Sequence, residues 1–284
     1  MERQRELADL DSIDVEARPP VGLSDGPIGM AELDIALRAL EINKAAGHDR
    51  VGPSLVKWAS SEFKKVLLAF FNVLFMNGKS TEYLNSSLVI PVHKKGQPLV
   101  EAQSYRPIHL EVILAKVQSQ IYDNRLRKIA ESEEFLSDMQ QGFRRGRGCP
   151  ELVLALKELC EGRKIRGKST FLAFLDVKDA FPLVCRTGLF TQLARKFGYS
   201  RLIRAIRAQY RGDRCRVVLP DGSKSNWWET KRGVKTGDPL SSMLFILFFT
   251  SLRRVSCREL WYRNSRWDSY SWIYVRGRYC PSCE

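Results

Sequence analysis

Between Thr170 and Val177 the chain passes through Phe171, Leu172, Ala173, Phe174 and Leu175, and a carboxylate, Asp176, interrupts the run near its end. A stretch this short and this apolar reads as a strand buried on both faces, with one acid delivered to its tip. Burial on both faces requires other structure above and below, and the rest of the sequence supplies it. Apolar residues recur at helical spacing at Leu33, Ala36, Leu37 and Leu40 in a segment from Met30 to about Asn43, and at Val66, Leu67, Phe70 and Leu74 in Glu62–Met76. The same spacing marks Ile113–Ile129 through Ile113, Val117, Ile121 and Leu126, then Glu151–Cys160, Leu189–Tyr210 and Met243–Leu252. On the Leu189–Tyr210 helix, Arg195, Arg201, Arg204 and Arg207 are expected to face solvent. Ser87–Val92 reads as a strand, and Arg214–Leu219 with Ser225–Lys231 as a hairpin about Pro220-Asp221-Gly222. No internal repeat is visible.

Charge narrows the function. The chain has 284 residues and a formal net charge of +14, which favours a polyanionic partner, nucleic acid before an acidic membrane surface. The first 45 residues run the other way, with ten acids against five bases, so the basic character belongs to the body. The longest apolar stretch, Met243–Phe249, is far shorter than the roughly 20 residues a spanning helix needs. Glu2, Arg3, Arg5 and Glu6 interrupt any secretory signal at the start, and seven scattered cysteines fit a reducing compartment. An intracellular setting, cytoplasm or nucleus, is expected. Cys280 and Cys283 form one CxxC pair without a second at finger spacing, and two ligands do not make a structural zinc site.

Four segments carry a stronger signal through their order: Ser104-Tyr105-Arg106-Pro107-Ile108, Gln141-Gly142-Phe143-Arg144, Phe174 to Phe181, and Gly233-Val234-Lys235-Thr236-Gly237-Asp238-Pro239-Leu240-Ser241. With Lys44–Asp49 upstream they resemble the successive motifs of reverse transcriptases, most closely those of non-LTR, LINE-type retrotransposons, over about residues 30–252. The resemblance implies an α+β fold, a right hand with helical fingers at 30–165 and a palm with an antiparallel sheet at 166–252. Residues 1–29 are expected to be a mobile linker, and the thumb to be absent.

The chemistry explains the residue types. Nucleotide addition uses two divalent cations, magnesium in this family, one activating the primer 3′ hydroxyl and the other holding the triphosphate. By resemblance Asp176 is the catalytic metal ligand and the backbone carbonyl of Val177 adds to the shell. Phe181 matches the steric gate that rejects a ribose 2′ hydroxyl, implying deoxynucleoside triphosphates. Lys94 or Lys95 and Arg106 match positions that grip the triphosphate, Arg106 through a planar fork suited to phosphate oxygens. Phe143, Arg144, Arg145 and Arg147 match the turn that contacts the template. The partners implied are an RNA template and a DNA primer. Asp179 reads as a solvated acid.

The sequence departs from the family at three places. Pro182 stands where non-LTR enzymes usually carry an acid. Thr236 stands where the family has glutamine before Gly237, and its shorter side chain is expected to weaken nucleotide binding. The third departure is larger: no aromatic-Ala-Asp-Asp hairpin follows the Met243 helix. After Leu252 the only acids are Glu259, Asp268 and Glu284, among seven arginines and three tryptophans. Val275–Glu284 can be encoded GTT CGC GGA CGA TAT TGT CCT TCT TGC GAG, which read one base later gives Phe-Ala-Asp-Asp-Ile-Val-Leu-Leu-Ala. A frameshift between about Leu252 and Glu259 would therefore account for an aberrant tail at 253–284. The chain is read as a reverse transcriptase domain inactive as written, the alternative being a non-catalytic RNA-binding retrotransposon remnant.

Overall fold

The computed structural model describes residues 25–259 other than 139, 173 and 175, with only the backbone of 251–259. The expected linker up to residue 24 and the tail from 260 lie outside the described residues. Packed structure begins ahead of Met30: Ile28 is buried and exchanges hydrogen bonds with the Asn72 side chain.

The elements in chain order are α1 (Met30–Arg38), α2 (Pro53–Lys57), α3 (Ser61–Asn77), β1 (Ser86–His93), β2 (Tyr105–Glu111), α4 (Ile113–Ser132), α5 (Cys149–Ile165), α6 (Arg186–Phe197), α7 (Arg201–Ala208), β3 (Arg214–Val217), β4 (Trp228–Glu229) and α8 (Ser241–Glu259). The fold is α+β. Helix α4 is its axis: Ile113, Val117, Ile121, Tyr122, Leu126 and Ile129 are all buried, and α1, α2, α7 and α8 pack against it. Ser60 and Ser200 cap α3 and α7 by accepting from Phe63 N and Ile203 N.

Four strands form one mixed sheet in the order β2-β1-β3-β4. Strand β1 runs antiparallel to β2, with Ile90 opposite Ile108, and parallel to β3, with Ser87 opposite Cys215. The sheet is thus not purely antiparallel, because β3 arrives through a long crossover that includes α6 and α7.

Several expectations are corrected. Thr170–Val177 forms no strand among its described residues; Phe171, Leu172 and Phe174 are 87%, 49% and 67% exposed. The helix expected to reach Asn43 stops at Arg38, where Lys57 Nζ donates to the carbonyls of Arg38 and Leu40. On α3 the buried residues are Leu67, Phe71, Leu74 and Phe75, while Val66 and Phe70 face outward. The segment 189–210 is two helices, since Gly198 and the Ser200 cap break it. Of its arginines, Arg195 and Arg204 are exposed, whereas Arg201 is half-buried and donates to the carbonyl of Asp25.

Candidate functional site: a cavity between the sheet and the 176–182 turn

A cavity of about 570 Å³ is lined by Lys94, Arg106, Phe143, Asp176, Asp179, Phe181, Thr236 and Phe245, among others. Six residues singled out from the sequence meet in it: Lys94 from the end of β1, Arg106 from β2, Phe143, Asp176 and Phe181 from loops, and Thr236 from the segment before α8. Asp176 is exposed and Val177 buried. Phe181 sits half-buried between two rings, 6.0 Å from Phe143 and 5.3 Å from Phe245 by centroids. One aromatic face is thus fixed beside the basic residues.

The remaining predicted residues lie elsewhere. Lys95 is exposed in the turn after β1 and does not line the cavity. Gly237 lines a separate cavity of about 340 Å³ with Lys44, His109, Lys116 and Gln120. Arg144, Arg145 and Arg147 fasten their own turn: Arg144 to Glu131 and the Ser137 carbonyl, Arg145 to Asn124, Arg147 to Asp138. Of the proposed template contacts only Phe143 reaches the cavity, held at φ +62° with its carbonyl accepting from Arg127.

Asp179, read as a solvated acid, pairs with Lys94 across the cavity at 3.6 Å. Lys94 Nζ also donates to the Gln103 carbonyl at 2.7 Å, and Lys178 to the Gln103 side chain at 3.0 Å. A helical or strand pattern could not have flagged this, because the turn places Asp179 at φ +49°.

The 233–241 segment is held from below by a buried charge network that the sequence did not reveal. Gly233 N donates to Val184 O and Val234 N to Phe181 O. Gly233 has φ +83°, and a Cβ there would meet Pro182 O at 2.7 Å, so only glycine fits. Arg186 Nε donates to Gly233 O at 2.9 Å, and Arg186 Nη2 to Asp213 at 2.7 Å. Lys235 Nζ lies 3.0 Å from Glu111 and 3.3 Å from Asp213, its side chain 5% exposed. His109 N donates to Thr236 O at 2.8 Å.

The electrostatics follow from that packing. Burial alone would depress the Lys235 ammonium, but Asp213 and Glu111 outweigh it and hold its pKa above the ordinary lysine value. Burial would raise Asp213, but Lys235 and Arg186 keep it below the ordinary carboxyl value. Asp238 has no cation so close; burial and then the Glu111 charge push it up to about 8. Burial lowers His109. The only sequence trace of this network was Lys235, Asp238 and Glu111 lying within or beside the motif segments.

A metal pair needs several converging oxygens. Asp176 and Asp179 line the cavity, and among the described residues no group of three or more His, Cys, Asp or Glu could hold a metal ion. The donor set present therefore does not fit two magnesium ions.

One cavity thus joins basic residues to an acid-bearing turn and to Thr236 of the 233–241 segment. The family model for reverse transcriptase (RNA-dependent DNA polymerase) matches residues 92–259, more than half of the chain, and the chain belongs to that family. Within it, the chain is similar to the polymerases of non-LTR retrotransposons. It is 26% identical over 255 residues to a probable RNA-directed DNA polymerase from transposon BS of Drosophila melanogaster, covering 86% of this chain and 26% of that one. The RNA-directed DNA polymerase from mobile element jockey of Drosophila melanogaster is 25% identical over 225 residues, covering 79% and 24%. The Pol polyprotein from the type-1 retrotransposable element R2 of Nasonia vitripennis is 27% identical over 202 residues, covering 71% and 19%. The chain spans about a quarter of the length of these relatives or less. No helix among the described residues is long and apolar enough to cross a membrane.

Proposed function

We propose that this chain is the fingers (30–165) and palm (166–252) of an RNA-directed DNA polymerase, and that as written it binds RNA and deoxynucleoside triphosphate without extending a primer. The observation that carries the first half is the single cavity gathering Lys94, Arg106, Asp176, Phe181 and Thr236. Two cations, Lys94 and Arg106, answer the phosphate charge, an aromatic face stands where a ribose edge would pass, and the Asp176 carboxylate opens onto the same space beside Asp179, which pairs with Lys94. RNA template and DNA primer are the partners that the basic body and the family suggest.

The second half rests on ligand chemistry. Two divalent cations held in register need more carboxylates than Asp176 supplies, and after Leu252 this sequence contains no adjacent acids. The shifted frame of Val275–Glu284 would restore two. It requires a Gly277 codon ending in A, so any other third base in the gene overturns the frameshift.

Incorporation and RNA retention measured on one purified sample test the function. The expected result is salt-sensitive RNA binding that Asp176→Ala leaves unchanged, with no nucleotide incorporated. Primer extension abolished by Asp176→Ala would show that the acids present suffice and overturn the inactive reading.

A further inference from the structure

On β3, Arg214 and Arg216 lie two residues apart and so share one face of the sheet, opposite the buried Cys215. Both guanidiniums rest on the indole of Trp227, with Cζ 4.9 Å and 4.5 Å from its centroid. The His48 ring meets the same indole edge-on at 5.9 Å, and Tyr83 meets His48 at 5.5 Å. Arg214 is neutralised by Glu82 and donates to Ser86 Oγ. Asp49 is occupied by the Tyr83 hydroxyl and the Val51 amide. Arg216 has no acid partner among the described residues, and its Nε has no hydrogen-bond partner. The same hairpin exposes Trp228, Lys224, Lys231 and Arg232.

We propose that this outer sheet face around Arg216 and Trp227 is a second RNA-binding site, which takes a single-stranded segment outside the nucleotide cavity. An unpaired guanidinium held over an aromatic ring keeps its planar set of donors available to a phosphate, and the neighbouring rings offer stacking surface to unpaired bases. A duplex hides its base faces, so a single strand suits this surface better. The site is separate from the cavity: neither Arg216 nor Trp227 lines it, and Arg216 on β3 is two strand positions from Arg106 on β2, about 10 Å at ordinary spacing. The inference rests on the reading that the chain handles RNA.

The test uses the full chain and an oligouridylate of about 15 nucleotides, the upper range of a single-strand site, with affinity measured at several salt concentrations. Arg216→Ala should flatten the dependence of log affinity on log salt by about 0.7, the share of one phosphate on a single strand. Arg216→Lys should keep the slope, because the charge remains. Trp227→Leu should weaken binding at least about twofold by removing the ring that holds Arg216 in place, with thermal melting confirming that each variant folds. Wild-type slope and affinity in Arg216→Ala would overturn the site while leaving RNA binding by the chain intact. A wild-type chain that retains no RNA would overturn both the site and the reading beneath it.

Discussion

Replacing Lys235 by methionine keeps the length of the side chain and removes the cation from the network beneath the 233–241 segment. Lys235, Glu111 and Asp213 have side chains 5%, 2% and 1% exposed, so water cannot take the place of the lost partner. Asp213 keeps Arg186 at 2.7 Å. Asp238, at about 8, is already largely protonated at neutral pH and adds no second stranded charge. Glu111 is the group left alone, and its Oε2 already lacks a partner. Removing one partner of a buried ion pair costs roughly 3–5 kcal/mol, because the other charge is left uncompensated. The midpoint should fall by about 6–20 °C at 2–4 °C per kcal/mol.

Adding Glu111→Gln to Lys235→Met removes the stranded charge and should recover most of the stability. Thermal and urea unfolding of the four proteins of this double-mutant cycle give both the loss and the recovery. A loss below about 1 kcal/mol in Lys235→Met, or no recovery in the double variant, would refute the reasoning.

Asp238 has a folded value of about 8 against 3.8 unfolded, so its stabilising contribution is complete below 3.8 and gone once the pH passes 8. His109, lowered by burial, works oppositely but only up to about its unfolded 6.5; stability should therefore decline between pH 6.5 and 8, and a melting series should show the decline removed in Asp238→Asn. Gly233→Ala places a Cβ 2.7 Å from Pro182 O at φ +83°, and should lower stability by about 1–3 kcal/mol in urea unfolding. Phe181→Val removes the aromatic face beside Phe143 and Phe245; calorimetric titration should show the difference in affinity between deoxynucleoside and ribonucleoside triphosphates narrowing, with about 1–3 kcal/mol of stability lost.

Where side chains repeat with a period, the sequence was legible. Ile113, Val117, Ile121 and Leu126 are spaced for one helical face and all four are buried. Where structure depends on partners distant in sequence, it was not. Strand β2 contains Arg106, Pro107 and His109, a pattern no propensity favours, and it forms because β1 lies alongside it from Ser87 to His93. The division of 189–210 turns on Gly198, a single residue inside a continuing apolar period. At the site, Lys94, Arg106, Asp176, Phe181 and Thr236, singled out through motif order, line one cavity, whereas Lys95 and Gly237, singled out in the same way, do not. The pairing of Lys94 with Asp179, and of Lys235 with Glu111 and Asp213, joins residues 85, 124 and 22 apart, and charge carries no periodicity from which such pairs could be read.

The exposure of Phe171, Leu172 and Phe174 and the missing acids have one explanation under the proposed change of frame. Carboxylates that bind the same cation must lie within a few ångströms of each other, and neighbouring strands are about 4.8 Å apart. A strand ending in Asp176 would therefore sit beside the hairpin that carries the other two acids. That hairpin, if encoded one base out of register, would be missing from this polypeptide, and the segment ending in Asp176 would lack the edge to pair with. Under that proposal the exposure of Phe171, at 87%, and Phe174, at 67%, and the loss of the metal ligands share one cause, and an apolar run that reads as a buried strand would be one suited to that partner. The remaining sheet needs no such partner: β1 has β2 on one side and β3 on the other, and the charge network seals its inner face.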